Sequence, residues 1–236
     1  MNSANVPLIL ASASPRRHEL LHSLGIAFAI VATDAEERQD AVPPSVLAAL
    51  PAYPLAQNGH PSLLAWRKAN AARELGYSAA ILGADTIVVL DDRVLGKPRD
   101  PAHARIMLRQ LSGRNHRVYT GLVVLPAAHA ADPAPLFDLV MAEVRLADLS
   151  DADIAAYVAT GEPLDKAGSY GVQGVGGRLV EHVAGSFTAV VGLPLPATAA
   201  LLQRIGLPLP VAVDDAWQQW RRTLRKEPLC IQQSKC

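Results

Sequence analysis

Residues 8–25 read Leu-Ile-Leu-Ala-Ser-Ala-Ser-Pro-Arg-Arg-His-Glu-Leu-Leu-His-Ser-Leu-Gly. Leu8 to Ala11 is a short apolar run, the pattern of a buried strand. Ser14 then stands where a helix cap belongs. Pro15 takes the first helical position, where its missing N–H costs nothing. Leu20, Leu21 and Leu24 line one helical face, and Gly25 supplies the stop. A strand feeding a helix in this way opens an α/β chain, and the alternation continues downstream.

Beyond that stretch, Phe28 to Ala32 reads as a strand, Ser62 to Leu75 as a helix closed by Gly76, and Ala79 to Leu90 as a strongly apolar strand. Asp91-Asp92 is a turn signal. Asp100-Pro101 opens a helix with Ile106, Met107, Leu108 and Leu111 inward, closed by Ser112-Gly113. Val118–Leu125 and Leu136–Leu146 read as strands joined by an Ala/Pro-rich loop, the second with Phe137, Leu139 and Met141 on one face. Ser150 with Asp153 is a capping-box start for a helix that stops at Gly161. Asp165 to Gly177 is a Gly-rich loop, followed by expected strands at Leu179–Val183 and Phe187–Val191 and a last helix at Pro196–Ile205. Gln39 to Pro61 is Pro-rich and without periodicity, a loop or loosely packed insertion. An α/β sandwich over residues 1–207 is the expected organisation. A polar, basic tail, 208–236, carries Trp217 and Trp220.

Composition narrows the function classes. Lys plus Arg number 22 and Asp plus Glu 22, so the net charge is zero and no global basic field draws in nucleic acid. No aromatic stacking set for RNA is evident. The uncharged stretches 41–66 and 182–203 are broken by prolines and glycines, which argues against membrane spans. The N-terminus lacks a secretory pattern, and the only cysteines, Cys230 and Cys236, make no disulfide or zinc framework. A cytoplasmic enzyme is the expectation.

Anion binding must then be local. Ser12-Ala13-Ser14-Pro15-Arg16-Arg17 puts two hydroxyls, two guanidinium groups and free backbone N–H groups at one helix start. Arginines in a first turn oppose the helix dipole by roughly 0.3–1 kcal/mol each, a conflict that a bound polyphosphate resolves. A capped helix with two solvated arginines is the plainer alternative. Asp85, in Gly83-Ala84-Asp85-Thr86, interrupts an apolar strand, and a buried carboxylate needs a partner, a hydrogen bond or a metal. Gly96-Lys97-Pro98-Arg99 lacks P-loop spacing, yet Lys97 offers a point charge for phosphate. In Asp165–Gly174 the glycines permit close backbone approach, and Gln173 carries the donor and acceptor that read a base edge. Glu36 and Glu37 follow a strand and offer carboxylates for Mg²⁺.

In order and wording these blocks resemble the Maf family of nucleotide pyrophosphatases. The resemblance is carried by Ser12–Leu21 (S-x-S-P-R-R-x-E-L-L), Gly83–Thr86 (G-A-D-T), Gly96–Asp100 (G-K-P-R-D), Leu111–His116 (L-S-G-x-x-H), Asp165–Gly174 (D-K-A-G-x-Y-G-x-Q-G) and Val191–Leu195 (V-G-L-P-L). It spans roughly residues 8 to 205. It implies an α/β fold with a mixed sheet flanked by helices, similar to inosine triphosphate pyrophosphatases, with a cleft between two lobes. It implies hydrolysis of a nucleoside triphosphate at the α–β phosphate bond, with Mg²⁺ or Mn²⁺, by a homodimer. The wording of the G-A-D-T and D-K-A-G blocks looks like the dTTP/UTP branch. A 7-methyl-GTP pyrophosphatase and a non-catalytic nucleotide-binding regulator of septation are the alternatives.

By position, the resemblance makes Asp85 the catalytic and metal-binding carboxylate. It gives the triphosphate to Ser12, Arg16, Arg17 and Lys97, a place in the substrate site to Lys68, the metal also to Glu37 or Glu36, and base selection to Thr86 and Gln173. Two departures stand out. Leu63 occupies a place where the family commonly has arginine, and the Gln39–Pro61 stretch is longer and richer in proline.

Overall fold

The computed structural model describes residues 7–33, 40–56 and 59–224. In chain order the elements are β1 (Leu8–Ala11), α1 (Pro15–Ser23), β2 (Phe28–Ile30), α2 (Pro44–Ala49), α3 (Pro61–Glu74), β3 (Ala80–Leu90), β4 (Arg93–Leu95) and α4 (Pro101–Leu111). Then come β5 (Asn115–Leu125), β6 (Leu136–Leu146), α5 (Asp151–Ala159), three short 3-10 turns between Glu162 and Leu179, β7 (Val180–Gly185), α6 (Phe187–Val191), α7 (Leu195–Arg204) and α8 (Val213–Leu224). The strand order is β2-β1-β3-β5-β6-β7, with β4 added to β3. β1 runs parallel to β2 and β3, whereas β4 on β3 and β7 on β6 are antiparallel. The sheet is mixed, as expected.

The chain forms two compact units that share the long strands β3, β5 and β6. Among the described residues, the first comprises those up to Asp85, Thr120–Val140 and Gly192–Trp220; the second comprises Thr86–Tyr119, Met141–Val191 and 221–224. Ile9 and Ala11 of β1, Ile81 of β3, and Val123 and Leu125 of β5 form the first unit's core with Leu63, Ala65, Trp66, Ala69 and Ala72 of α3. Each fully buried Leu, Ile or Val is worth about 1.5–3 kcal/mol. Side chains alternate along a strand, so Gly83 and Asp85 share the face of Ile81, and Gly121 shares that of Val123. A Cβ at Gly83 would collide with the Ala65 carbonyl oxygen, and one at Gly121 with the backbone of Pro61 and Ser62. Two glycines therefore let α3 lie directly on the sheet.

The described part of the Gln39–Pro61 stretch is more ordered than its composition suggests. Within it α2 forms, Val46 is buried, and Val42, Leu47 and Leu50 pack on the same core. His60 ends the segment as the α3 cap. Its Nδ1 accepts from the Ser62 N–H at 3.1 Å, which places the proton on Nε2, the donor to the Pro51 carbonyl at 2.9 Å. Burial lowers the His60 pKa, so the neutral form that both bonds require is favoured.

In the second unit the Asp91-Asp92 turn joins β3 to β4 with both residues at positive φ, 49° and 59°, as a type I′ hairpin requires. Asp100 caps α4 by accepting from the His103 N–H at 2.7 Å, and Ser150 and Asp153 form the expected capping box. Four expectations are corrected. Phe187–Val191 is helix, not strand, because Ser186 Oγ accepts from the Ala189 N–H at 3.2 Å and caps it. Ile106 is 52% exposed, leaving Met107, Leu108 and Leu111 as the inward face of α4. Ser14 sits at the α1 cap without a side-chain cap bond; its own N–H donates instead to Ser12 Oγ at 3.2 Å. Finally, residues beyond Gly206 include α8, whose Trp217 and Trp220 rings stack 5.6 Å apart with Trp220 buried.

Candidate active site

In the first unit Ala11 pairs with Gly83 across parallel β1 and β3. Ser12 therefore leaves β1 beside the stretch of β3 that carries Asp85. The carboxyl ends of parallel strands are where α/β folds place ligands. Asp85 is buried, and Lys68 of α3 donates to its Oδ1 at 2.6 Å; the two side chains are 12% and 6% exposed. The pairing results from the glycine contact below it. Gly83 brings Ala65 onto the strand, and one helical turn on, Lys68 reaches the next residue of the same strand face. Thr33 Oγ1 adds a bond to the Lys68 carbonyl at 3.3 Å. Two buried opposite charges in contact satisfy each other, and removing either leaves the other uncompensated.

The Ser12 cluster is also built rather than merely solvated. Arg17 is buried, with Nε donating to the Gly192 carbonyl at 2.9 Å and Nη1 to Ser12 Oγ at 3.2 Å. It ties the start of α1 to the segment after α6. Ser12 Oγ accepts from both Arg17 and the Ser14 N–H, so its own proton is free to donate outward. Arg16 is half-buried and has no ion pair or side-chain bond among the described residues. The first unit thus pairs Lys68 of α3 with Asp85 on β3, and Arg17 of α1 with Ser12 at the end of the neighbouring strand β1.

Thr86, Lys97 and Gln173 belong to the second unit. Thr86 is half-buried on β3, and Lys97 is exposed after β4. The Gly168 N–H donates to the Gly96 carbonyl at 3.1 Å, so the Lys97 loop and the Asp165–Gly174 loop are joined. Gly168, at φ +69°, is packed so closely on Val88 that an added Cβ would stand 3.0 Å from it. Gln173 Oε1 is a buried acceptor with no partner among the described residues. Glu36 and Glu37 lie outside the described residues.

Three participants in the second unit were not anticipated. His116 and Tyr170 are buried, their rings edge to face at 5.3 Å, with Nε2 and Oη 2.6 Å apart. Desolvation pushes His116 down to about 4 and pushes the Tyr170 phenol up. Glu162 holds the Gly-rich loop from outside it. His116 ends the L-S-G-x-x-H block and is buried between exposed Asn115 and Arg117 at the start of β5, where the polar neighbours gave no local signal.

The shift at His116 predicts a pH-dependent stability. Its folded pKa lies below the unfolded value of 6.5, so the unfolded state binds the proton first. The contribution is complete above pH 6.5 and is lost as pH falls toward 4, about 3 kcal/mol in all. Urea midpoints at pH 7.5 and 4.5 should fall further for the wild type than for His116→Gln. Parallel declines in the two proteins would remove His116 as the source.

The Maf-like protein family matches residues 7–205. The mixed α/β chain described here belongs to the Maf family. A dTTP/UTP pyrophosphatase of Anaeromyxobacter dehalogenans (strain 2CP-C) is 47% identical over 212 residues, 90% of this chain and 97% of that protein. A dTTP/UTP pyrophosphatase of Shigella boydii serotype 4 (strain Sb227) is 47% identical over 196 residues, 83% of this chain and 91% of that protein. Among solved structures, that of a HAM1 protein from Coxiella burnetii is 18% identical with a TM-score of 0.40, covering 93% of this chain and 98% of its own.

No helix of the described residues is long and apolar enough to cross a membrane. No group of three or more His, Cys, Asp or Glu side chains gathers among them either.

Proposed function

We propose that this chain hydrolyses dTTP and UTP to the nucleoside monophosphate and pyrophosphate. The observation that carries the reading is the buried Lys68–Asp85 pair, set on the strand next to the Ser12–Arg17 cluster. The names of the 47% identical relatives support it. A triphosphate near neutral pH brings about four negative charges, which must be met before water can attack phosphorus. Arg16, the Ser12 hydroxyl and the N–H groups that open α1 meet the phosphates, and Arg17 braces them through Ser12. Lys97 is assigned to phosphate on the family resemblance.

Lys68 holds Asp85 Oδ1, which fixes the plane of the carboxylate and leaves its second oxygen for water. Asp85 orients that water toward the α-phosphorus and takes its proton as the new P–O bond forms and pyrophosphate departs. The donor set fits a hard cation. A single buried carboxylate suits Mg²⁺ or Mn²⁺, which keep several waters and bind largely through substrate phosphates. Asp85 would hold the ion, with Glu36 or Glu37 as the family's further ligands, and the ion would supply charge neutralisation and water activation. Base choice is assigned to Thr86 and Gln173. The buried Oε1 of Gln173 matches the ring N3–H of thymine or uracil, whereas cytosine presents an acceptor there. The family's cytoplasmic homodimer is part of the same reading.

Pyrophosphate release from dTTP, UTP, CTP, GTP, 7-methyl-GTP and ITP, with Mg²⁺ or Mn²⁺, tests it. Turnover concentrated on dTTP and UTP, with monophosphate as product, is expected. Turnover of 7-methyl-GTP alone would overturn the base assignment, and no turnover by folded protein would overturn the enzyme.

A further inference from the structure

Tyr157 and Glu162 lie outside the motifs named above, at the end of α5 and just beyond it, yet they grip the loop that carries Gln173. Glu162 Oε2 accepts from the Val175 N–H at 3.0 Å, and Oε1 from the Gly176 N–H at 3.1 Å. The Tyr157 hydroxyl donates to Glu162 Oε1 at 3.0 Å and accepts from the Gly171 N–H at 3.2 Å. Lys166 Nζ donates to the Glu162 carbonyl at 2.6 Å and to Asp165 Oδ1 at 2.7 Å, which steadies the residue that does the gripping. Burial and the Glu162 charge push the Tyr157 phenol up, so it stays a donor.

The grip falls on both sides of Gln173 and is made to backbone N–H groups. It therefore fixes the course of the chain rather than any one side chain of the loop. The glycines are what allow it. A Cβ at Gly174, where φ is +64°, would stand 2.9 Å from Glu162 Oε2, one at Gly171 would stand 2.9 Å from Lys166 Cε, and one at Gly176 would collide with the Tyr157 hydroxyl. What remains at the centre of the held loop is the amide of Gln173, whose Oε1 is buried without a partner among the described residues.

We propose that Glu162 and Tyr157 are positioning residues for nucleobase selection, holding the 171–176 loop so that the Gln173 amide is presented to the base. This rests on the reading of Gln173 as a base-contacting residue. A buried hydrogen-bonding group discriminates only as sharply as it is held, so loosening the loop should cost selectivity before it costs chemistry.

The test is a double-mutant cycle of Tyr157→Phe and Gln173→Ala, with kcat and KM measured for dTTP, UTP and CTP. Tyr157→Phe removes only the hydroxyl and keeps the buried ring. In the wild-type background it should raise KM for dTTP and UTP about tenfold with kcat within about twofold, and shrink the dTTP-over-CTP ratio of kcat/KM by a similar factor. In the Gln173→Ala background it should add less than about twofold. Glu162→Gln, measured in the same two backgrounds, should give the same pattern and carries the test if Tyr157→Phe melts early. If Gln173→Ala shifts selectivity but neither loop variant does, the positioning role is overturned while Gln173 keeps its part. Equal losses with and without Gln173 would also overturn it, as a merely structural effect. If Gln173→Ala leaves selectivity unchanged, the underlying reading falls and the proposal with it.

Discussion

Asp85→Asn is expected to bind nucleotide and lose roughly 10²–10⁴-fold in kcat, the range that a positioned proton acceptor contributes. The amide keeps the size and much of the polarity of the carboxylate, so the Ser12 cluster on the neighbouring strand should be undisturbed. It cannot take a proton from water at neutral pH. The same change leaves the buried Lys68 ammonium without its counter-charge, 2.6 Å away in the wild type. Breaking one half of a buried pair costs about 3–5 kcal/mol, a large share of a stability of about 5–15 kcal/mol. Loss of rate and loss of stability must therefore be separated. Adding Lys68→Met removes the orphaned charge, and the double variant should regain much of the stability while its kcat stays low. Affinity for a non-hydrolysable α,β-imido dTTP and urea midpoints give the two remaining readouts. A near-wild-type kcat for Asp85→Asn would remove Asp85 from the mechanism.

The parts of this molecule that were legible in the sequence are those decided within a few residues. β1 into α1, the Asp91-Asp92 turn, the Asp100 cap and the Ser150–Asp153 box each rest on neighbours one to four positions apart. Phe187–Val191 misled because its β-branched residues favour strands, whereas the cap at Ser186 decides the outcome. The Pro-rich stretch misled because prolines suggest looseness, yet Val42, Val46, Leu47 and Leu50 have a core to meet, and that core comes from distant elements.

The candidate site divides along the same line. Asp85 announced itself as a carboxylate in an apolar strand, and Arg16 and Arg17 as cations at the wrong end of a helix. The resemblance placed Lys68 in the substrate site but did not pair it with Asp85, since seventeen residues and a helix-on-sheet contact separate them. A lysine on the buried stripe of α3, among Ala65, Ala69 and Ala72, was the local sign. Arg17 proved to be a brace rather than a solvated cation, because its acceptor, Gly192, lies 175 residues away. The role of Glu162 could not be read from its neighbours, because its partners are backbone N–H groups that show no side-chain pattern.

Gly83→Ala should damage both fold and activity, although it adds a single methyl group far smaller than the changes that cores often absorb. The added Cβ meets the Ala65 carbonyl oxygen, which is helix backbone and cannot rotate aside as a flexible side chain would. α3 must lift from β3 or the strand must bend. Overpacking of this kind costs about 1–3 kcal/mol and more when backbone has to move, which in a chain of this size lowers Tm by about 2–4 °C for each kcal/mol. On the proposed mechanism the displacement acts at the reacting carboxylate. Ala65 and Lys68 are one turn apart on the helix, and Gly83 and Asp85 are neighbours on one strand face, so a lifted α3 lengthens the Lys68–Asp85 contact and frees the carboxylate to turn. A fall in kcat of about tenfold or more should accompany the lower Tm, since small displacements of a catalytic group are costly. Gly121→Ala, which would drive a Cβ into the backbone of Pro61 and Ser62, should lower Tm by a similar amount. Gly59→Ala, where an added Cβ meets nothing within 4 Å, should stay within about 0.5 kcal/mol of the wild type. Equal melting temperatures for Gly83→Ala and Gly59→Ala would mean that α3 does not rest on the sheet through its glycines, and the geometric basis of the Lys68–Asp85 pair would go with it.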